Sequence, residues 1–369
     1  MRIALLAHAH HPIAEPYRGG LEMHTALLAD GLVARGHDVT LHAKAGSLTR
    51  ARLRPLVGAG FVHGPAAPGR PRPDDVLDAA MWSAIADLGP VDVVLNNSLS
   101  PVPYVAMDQL PMFTVLHTPA TLARVNAVLE APGWRPGERH VWAAVSQVTT
   151  QDWRRLLPEV ATVPNGIDLT HWAPRPGRGD HPVGRQARHA VWTGRITPEK
   201  GLPLAIDAVR RAGWQLSIAG PVSDPEHFAR DVVPRLGEDV RYRGHLGHDD
   251  LPAFLRSGTV YLFSPLWPEP FGLALLEALA CGTPAAALPT GAVREIVGPQ
   301  GGVVAADCTA EALAAALVEA ARLDRAEVAA SVAHLDRAVM LDSYEAVLHR
   351  LVGAEPARAL DGLAELDYA

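Results

Sequence analysis

Hydrophobic positions open the chain as an unbroken run, RIALLA, which stops at polar residues. After the glycine-bearing stretch EPYRGG the period changes. Through LEMHTALLADGLVARG the apolar positions recur at three and four, so a strand, a glycine loop and a helix are predicted in that order. Gly36 supplies a C-cap signal and HDVTLHA reads as the next strand, completing a β-α-β unit. A Pro-, Arg- and Gly-rich excursion at residues 47 to 73 interrupts the rhythm. It resumes with a helix near 74 to 88, the strand VDVVLNN, a short helix and the strand PMFTVLH. HVWAAVS, a helix from about 147 and ATVPNG close the first half.

The second half repeats this architecture without repeating the sequence. RHAVWTG, WQLSIAG, DVRYRG, TVYLFSP and TPAAAL are strand-like, with helical segments near 202 to 212, 224 to 236, 248 to 256 and 272 to 281. Between the halves lies PNGIDLTHWAPRPGRGDHPVG, residues 164 to 184, where Pro, Gly and Asn break both periodicities. Two long helices, near 309 to 321 and 340 to 353, precede an acidic tail from about 355. The fold class is therefore α/β: two Rossmann-like domains, each a parallel sheet covered on both faces. Ligands of such sheets bind beyond the carboxyl ends of the strands. The loops at 8 to 20, 97 to 100, 117 to 119, 194 to 200, 220 to 223, 244 to 247 and 264 to 272 are thus the ones to read for chemistry, and two such domains facing each other would bring them to one cleft.

Composition narrows the function. A chain of 369 residues exceeds one growing core, so two domains of roughly 150 to 200 residues are expected. A net charge of −7 gives no reason to expect a nucleic-acid partner. Cys281 and Cys308 make no disulfide framework, MRIALLAHAHH lacks the features of a signal peptide, and no run reaches the roughly 18 to 20 apolar residues of a membrane span. A cytoplasmic location with at most peripheral membrane contact is expected. Among 33 basic residues only two are lysines, Lys44 and Lys200, so each draws attention as a functional cation.

VGAGFVHG at 57 to 64 imitates a dinucleotide-binding glycine motif. It follows no first strand, and Pro65, Pro68, Pro71 and Pro73 forbid the helix such a motif opens, so no cofactor is read there. TGRITPEKG, residues 193 to 201, is more telling. Arg195 and Lys200 stand five residues apart in a loop after a strand, a planar fork and a compact ammonium able to converge on one diphosphate. The plain alternative is a solvated loop in which Glu199 pairs locally. In EPFGLALLEALACGTP, residues 269 to 284, Gly272 should open a helix whose free N–H groups favour a phosphate or hydroxyl oxygen. Glu269 then stands at the helix mouth and Glu277 about 7 Å deeper. The two acids make sense as acceptors for hydroxyl groups on either side of a phosphate, one set on a sugar and one on a ribose.

With these residues in view, the chain resembles a retaining GT-B glycosyltransferase of family 4 (glycosyltransferase group 1). The E-x7-E segment at 269 to 277 carries the resemblance, supported by RGGLEMHTALLADGLVARGHDVTL, LHTP at 116 to 119, VPNGID at 163 to 168, GRITPEKG and TGAVREIV. It implies an N-terminal acceptor-side domain at 1–168, a C-terminal nucleotide-sugar domain at 169–338, a final helix at about 340–353 crossing back to the first domain, and a tail at 354–369. By the same resemblance Arg195 and Lys200 would hold the diphosphate, with Gly20 approaching it. Glu277 would hold the ribose, Glu269 and the Phe271, Gly272 and Leu273 backbone the sugar, and His117 would line the reaction centre. One departure is that TGAVRE leaves a single glycine, Gly291, ahead of Glu295, where the family often has two.

HAHH invites a metal reading, but His8, His10 and His11 have no Cys or acid at ligand spacing and the family works without metal. Lining the acceptor side is the better expectation for His8 or His10. The arginines Arg50, Arg52, Arg54, Arg70 and Arg72 of the 47 to 73 segment could meet a membrane or an acceptor, although a solvated, flexible loop accounts for them. The expectation is a cytoplasmic, metal-independent enzyme without cofactor that moves a hexose-type sugar from a nucleotide diphosphate, UDP above all, to a hydroxyl acceptor. Two alternatives remain on the same fold: a nucleotide-sugar 2-epimerase, which needs no acceptor, and a non-catalytic nucleotide-sugar-binding subunit.

Overall fold

RIALLA forms β1 (Arg2–Ala7), buried from Ile3 onward. A parallel strand covered on both faces has no solvent side, hence the unbroken apolar run. The computed structural model describes residues 1–64, 71–106, 110–157, 159–173 and 188–353. The expected tail at 354–369, most of the linker at 164 to 184, and Arg70, Pro65 and Pro68 lie outside these residues. The chain divides into two units. Unit 1 takes Met1–Tyr17, Leu21–Pro164 and the segment from Ala338; unit 2 takes Arg18–Gly20 and Asn165–Arg337.

Unit 1 holds β1, β2 (Asp38–Ala43), β3 (Arg52–Pro55), β4 (Val93–Asn97), β5 (Met112–Leu116), β6 (His140–Ala144) and β7 (Val160–Thr162). They form one parallel sheet ordered β3-β2-β1-β4-β5-β6-β7. Its helices are α1 (Gly20–Ala34), α2 (Pro73–Ala86), α3 (Pro103–Ala106), α4 (Ala123–Leu129) and α5 (Gln147–Trp153). Ser146 caps α5 by accepting from the Thr149 N–H.

Unit 2 holds β8 (His189–Thr193), β9 (Gln215–Ala219), β10 (Val240–Tyr242), β11 (Val260–Phe263), β12 (Ala285–Ala287) and β13 (Gly302–Val304). Again all pairs are parallel, in the order β10-β9-β8-β11-β12-β13. Around them lie α6 (Leu169–Trp172), α7 (Leu202–Ala212), α8 (Pro225–His227), α9 (Leu251–Arg256), α10 (Leu273–Ala280), α11 (Val293–Gly301), α12 (Ala310–Ala320) and α13 (Arg325–Ser331). The core packs Ile206 and Val209 of α7 and Leu313 and Leu317 of α12 against Leu216, Ile218 and Leu262 of the sheet. The chain then rejoins unit 1 as α14 (Arg337–Val352), which lies along α1. Tyr344 Oη meets His24 Nε2 at 3.2 Å, and a Cβ on Gly31 would come to 2.5 Å from Leu341. Arg35 pairs with Asp342 and Glu345, and His37 Nε2 with Glu345 at 2.7 Å.

The differences from the sequence reading have physical causes. The excursion at 47 to 73 contains an edge strand, β3, on which Arg52 pairs with Asp38 and Arg54 with Asp87. A four-residue strand exposed along one edge carries no hydrophobic pattern to read. The other missed strand, β13, is also an edge, and Gly302 lets it approach Ala285 so closely that a Cβ would lie 2.2 Å from the Ala285 carbonyl oxygen. The helix expected over 224 to 236 breaks into α8, a π-helical turn at Phe228–Val232 and a 3-10 turn at Val233–Arg235, since Pro234 has no N–H to continue the ladder. The helix α11 went unread because Gly298, at φ 54°, and Pro299 interrupt its period.

Candidate active site

In unit 2 the chain winds outward in opposite directions from the adjacent strands β8 and β11, which makes the gap beyond their carboxyl ends the topological switch point. The loops that leave these two strands carry TGRITPEKG and the start of EPFG. They interlock through the backbone: Leu266 N–H donates to the Glu199 carbonyl at 2.8 Å, and Ser264 Oγ donates to the Lys200 carbonyl at 3.0 Å. On this frame Lys200 Nζ reaches Glu269 Oε2 at 2.6 Å, with both side chains largely buried. Trp267 Nε1 donates to the same oxygen at 2.9 Å, and the ammonium lies 5.3 Å from the Trp267 ring centroid. Lysine, indole and carboxylate thus form one charged cluster. Arg195, the second expected cation, is exposed and only loosely paired with Glu199 at 3.9 Å, a contact that contributes little in water.

A third loop, after β12, fixes Glu269 from behind. Ala292 N–H donates to the Glu269 carbonyl at 2.9 Å, and Thr290 Oγ1 to the Pro265 carbonyl at 3.2 Å. Gly291 between them has φ 53°, and a Cβ there would sit 2.1 Å from the Glu269 carbonyl oxygen. The single glycine of TGAVRE therefore stands where the backbone needs one.

Gly272 takes φ 97° as the N-cap of α10 and offers no side-chain cap; the Leu275 N–H donates to the Gly272 carbonyl at 3.0 Å, and the N–H groups ahead of it, at the helix start, are the ones suited to an anion. Phe271 is buried, Leu273 begins the helix, and a Cβ on Gly20 would lie 2.9 Å from Leu273 Cδ1. Glu277 sits one turn into α10 and is buried; that burial pushes its carboxyl up to about 8. In the folded chain it is therefore protonated at neutral pH. Glu277 and Glu269 occupy different environments although they share one loop-helix segment: one is dry and uncharged, the other a carboxylate held by a lysine.

In unit 1 the corresponding strand-end positions gather imidazoles. His8 follows β1, and its Nε2 meets Glu22 Oε1 of α1 at 3.0 Å, both side chains being buried. Burial would raise Glu22, but the hydrogen bond and charge of His8 outweigh it and hold the carboxyl below its usual range. His117 directly follows β5, 4.6 Å from His24 between ring centroids. Burial, with the nearby His24 and His8, holds His117 well below its ordinary value, and burial pushes His24 down to about 3. Both rings are neutral near pH 7. His117 Nε2, His8 Nδ1 and both side-chain polar atoms of Asn97, at the end of β4, are buried with no hydrogen-bond partner among the described residues. Trp153 Nε1 pins the Thr118 carbonyl at 2.7 Å, fixing the loop that carries His117.

Of the expected residues, the structure pairs Lys200 with Glu269 just before Gly272 and α10, sets Gly20 against Leu273, leaves Arg195 exposed, and sets His117 among the imidazoles of unit 1. Sequence reasoning missed Trp267, Glu22 and Tyr344. Trp267, two residues before Glu269, had a usable signal in its spacing; Glu22 looked like an ordinary first-turn acid of α1, and Tyr344 is distant in sequence.

Two family profiles match the chain. The one described as Glycosyl transferases group 1 covers residues 187–322, and Glycosyltransferase Family 4 covers residues 18–171. The chain is 26% identical over 338 residues to a phosphatidyl-myo-inositol mannosyltransferase of Mycolicibacterium smegmatis, spanning 86% of this chain and 84% of that protein. Among solved structures it resembles sucrose-phosphate synthase of Thermosynechococcus elongatus, with a TM-score of 0.73 at 20% identity over 93% of this chain and 97% of that one. It also resembles the Anabaena protein HepE in complex with UDP and glucose, with a TM-score of 0.70 at 17% identity over 93% and 98%.

Proposed function

Since this chain belongs to the group 1 glycosyltransferases of family 4 and has the GT-B fold, we propose that it moves a hexose from a UDP-sugar to a hydroxyl acceptor with retention of the anomeric configuration. The observation that carries the reading is the Lys200–Glu269–Trp267 cluster beside the uncapped N-terminus of α10, at the switch point of the unit 2 sheet. As a nucleotide sugar binds, the Lys200 ammonium turns to the diphosphate together with Arg195 and the α10 N–H groups, and Glu269 is released to the sugar hydroxyls. The UDP bound to HepE favours this donor class, and a phosphatidylinositol mannosyltransferase among the relatives favours a polyol hydroxyl as acceptor. Within unit 1, His117 is a neutral imidazole near pH 7, able to hydrogen-bond without adding positive charge.

The direct test is to incubate the protein with a panel of nucleotide sugars and polyol acceptors, following UDP release and the product anomer by NMR. UDP release that requires acceptor, with the donor's anomer kept, is expected. An inverted product would end the claim of retention; an altered sugar formed without acceptor would point to epimerisation instead.

Counter-charge for the diphosphate comes from side chains and a helix N-terminus, so transfer is expected to survive EDTA. Loss of turnover on chelation, restored by a divalent ion, would require a different electrostatic account.

Glu277 carries a pH signature. In the unfolded chain its carboxyl ionises near 4.5, the ordinary value of a glutamate, and in the fold at about 8, so across that window the unfolded chain holds fewer protons and stability falls as pH rises. Ribose hydroxyls donate to the ionised form and pull its pKa down. Affinity for UDP should therefore climb as pH rises towards about 8 and level off above it. Calorimetry from pH 6 to 9 in ~two buffers checks this: binding should release a proton below pH 8, and Glu277→Gln should flatten the profile. A wild-type affinity independent of pH would detach Glu277 from the ribose.

A further inference from the structure

In sequence, His10 has no Cys or acid at ligand spacing; the fold supplies an acid and a further imidazole from elsewhere in the chain. His10 lies beyond β1, His63 beyond β3 and Asp74 in the first turn of α2, and their ligand-capable atoms fall within 4.8 Å of one another. His63 Nε2 is 2.8 Å from Asp74 Oδ1, and the His10 and His63 rings stack at 3.8 Å between centroids. The other carboxylate oxygen of Asp74 lies 3.9 Å from Arg124 Nη1. A separate observation shows that the arrangement is braced. Lys44, one of only two lysines in the chain and 7% exposed, donates to the His10 carbonyl at 3.3 Å and to the Phe61 carbonyl at 2.5 Å. One buried ammonium thus ties the backbone carrying His10 to the backbone two residues before His63.

We infer that His10, His63 and Asp74 form a binding site for a divalent transition-metal ion of the zinc class. Two imidazole nitrogens and one carboxylate oxygen suit zinc, cobalt or nickel and are poorly matched to magnesium or calcium, which prefer all-oxygen shells. Stacked rings hold their lone pairs in parallel planes, so binding replaces the stack. The more exposed His63 swings about its side-chain torsions, gives up its hydrogen bond to Asp74, and both groups turn to the ion, with water completing a tetrahedron. The ion would cross-link the segment after β1, the segment after β3 and the start of α2, all within unit 1. It is separate from the diphosphate's counter-charge, because none of its three ligands is a proposed sugar-donor contact.

The test uses the full chain without a histidine tag, stripped with EDTA and dialysed. Titration with zinc against a chromophoric chelator should show one ion per chain, and cobalt(II) should give visible d–d bands of four-coordinate intensity. His10→Ala and His63→Ala should each weaken zinc binding by at least about tenfold, with Asp75→Ala, an acid beside the site, as the unchanged control. The exposed position of His63 makes that variant safe for folding, which circular dichroism verifies, and it should still turn over sugar donor. No saturable zinc uptake, or a His63→Ala chain that binds as tightly as the wild type, would overturn the assignment.

Discussion

Glu269→Ala should lower kcat by roughly 10- to 150-fold with little change in the sugar donor's KM, the loss expected when a charge-assisted hydrogen bond of about 1.5–3 kcal/mol is removed from the transition state. The unliganded cluster explains why KM should hold. Removing Glu269 frees Lys200, which it binds at 2.6 Å, for the diphosphate, so ground-state binding is preserved while the migrating sugar loses its partner. Lys200→Ala should reduce kcat/KM by a similar factor. Among the described residues it also leaves the Glu269 carboxylate with the Trp267 N–H alone, so the double variant should lose less than the product of the two single losses. Steady-state kinetics of the four proteins check the cycle. Glu277→Ala, by contrast, should chiefly raise KM. A reversed pattern between the two glutamates, or a sugar found covalently attached to either by mass spectrometry, would remove the assignment.

Gly291→Ala should cost about 100-fold in kcat/KM, the order expected when a reacting group is misplaced by about 1 Å. The added methyl would lie 2.1 Å from the Glu269 carbonyl oxygen, so either the loop after β11 or the loop after β12 must retreat, and the Ala292 to Glu269 hydrogen bond goes with it. The left-handed conformation adds about 1–2 kcal/mol of strain to the fold. Gly244→Ala is the control, because Gly244 also has positive φ, at 82°, but nothing lies within 4 Å of the position of its Cβ. Both variants should therefore lower the melting temperature, and only Gly291→Ala should lose activity. Equal kinetics in the two would mean that the loop yields without moving Glu269.

What the sequence revealed and what it hid follow from the range of the interactions. Interior strands such as β1 and β11 are buried on both faces, so their apolar runs are legible one residue after another. The edge strands β3 and β13 are short and half solvated, and nothing local marks them. At the site, Lys200 and Glu269 could each be picked out from its own loop. That they pair was not legible, because the contact spans 69 positions and depends on β8 and β11 being neighbours. The same limit applies to His10, whose partners His63 and Asp74 arrive through β3 and α2.

The return of α14 to unit 1 bears on how the protein is made. Unit 1 draws its first segments from residues up to Pro164, yet the helix that covers α1 begins about 170 positions later. At about 5–20 residues per second on the ribosome, that interval is roughly 10 to 35 s. Throughout it, the face of α1 that will receive Leu341 and Tyr344 is uncovered, with Gly31 and His24 among its residues. Unit 2, whose residues from Asn165 to Arg337 are nearly continuous, can finish first. The N-terminal half is thus the later of the two to mature, and a nascent chain stalled anywhere before α14 would present this open face to chaperones.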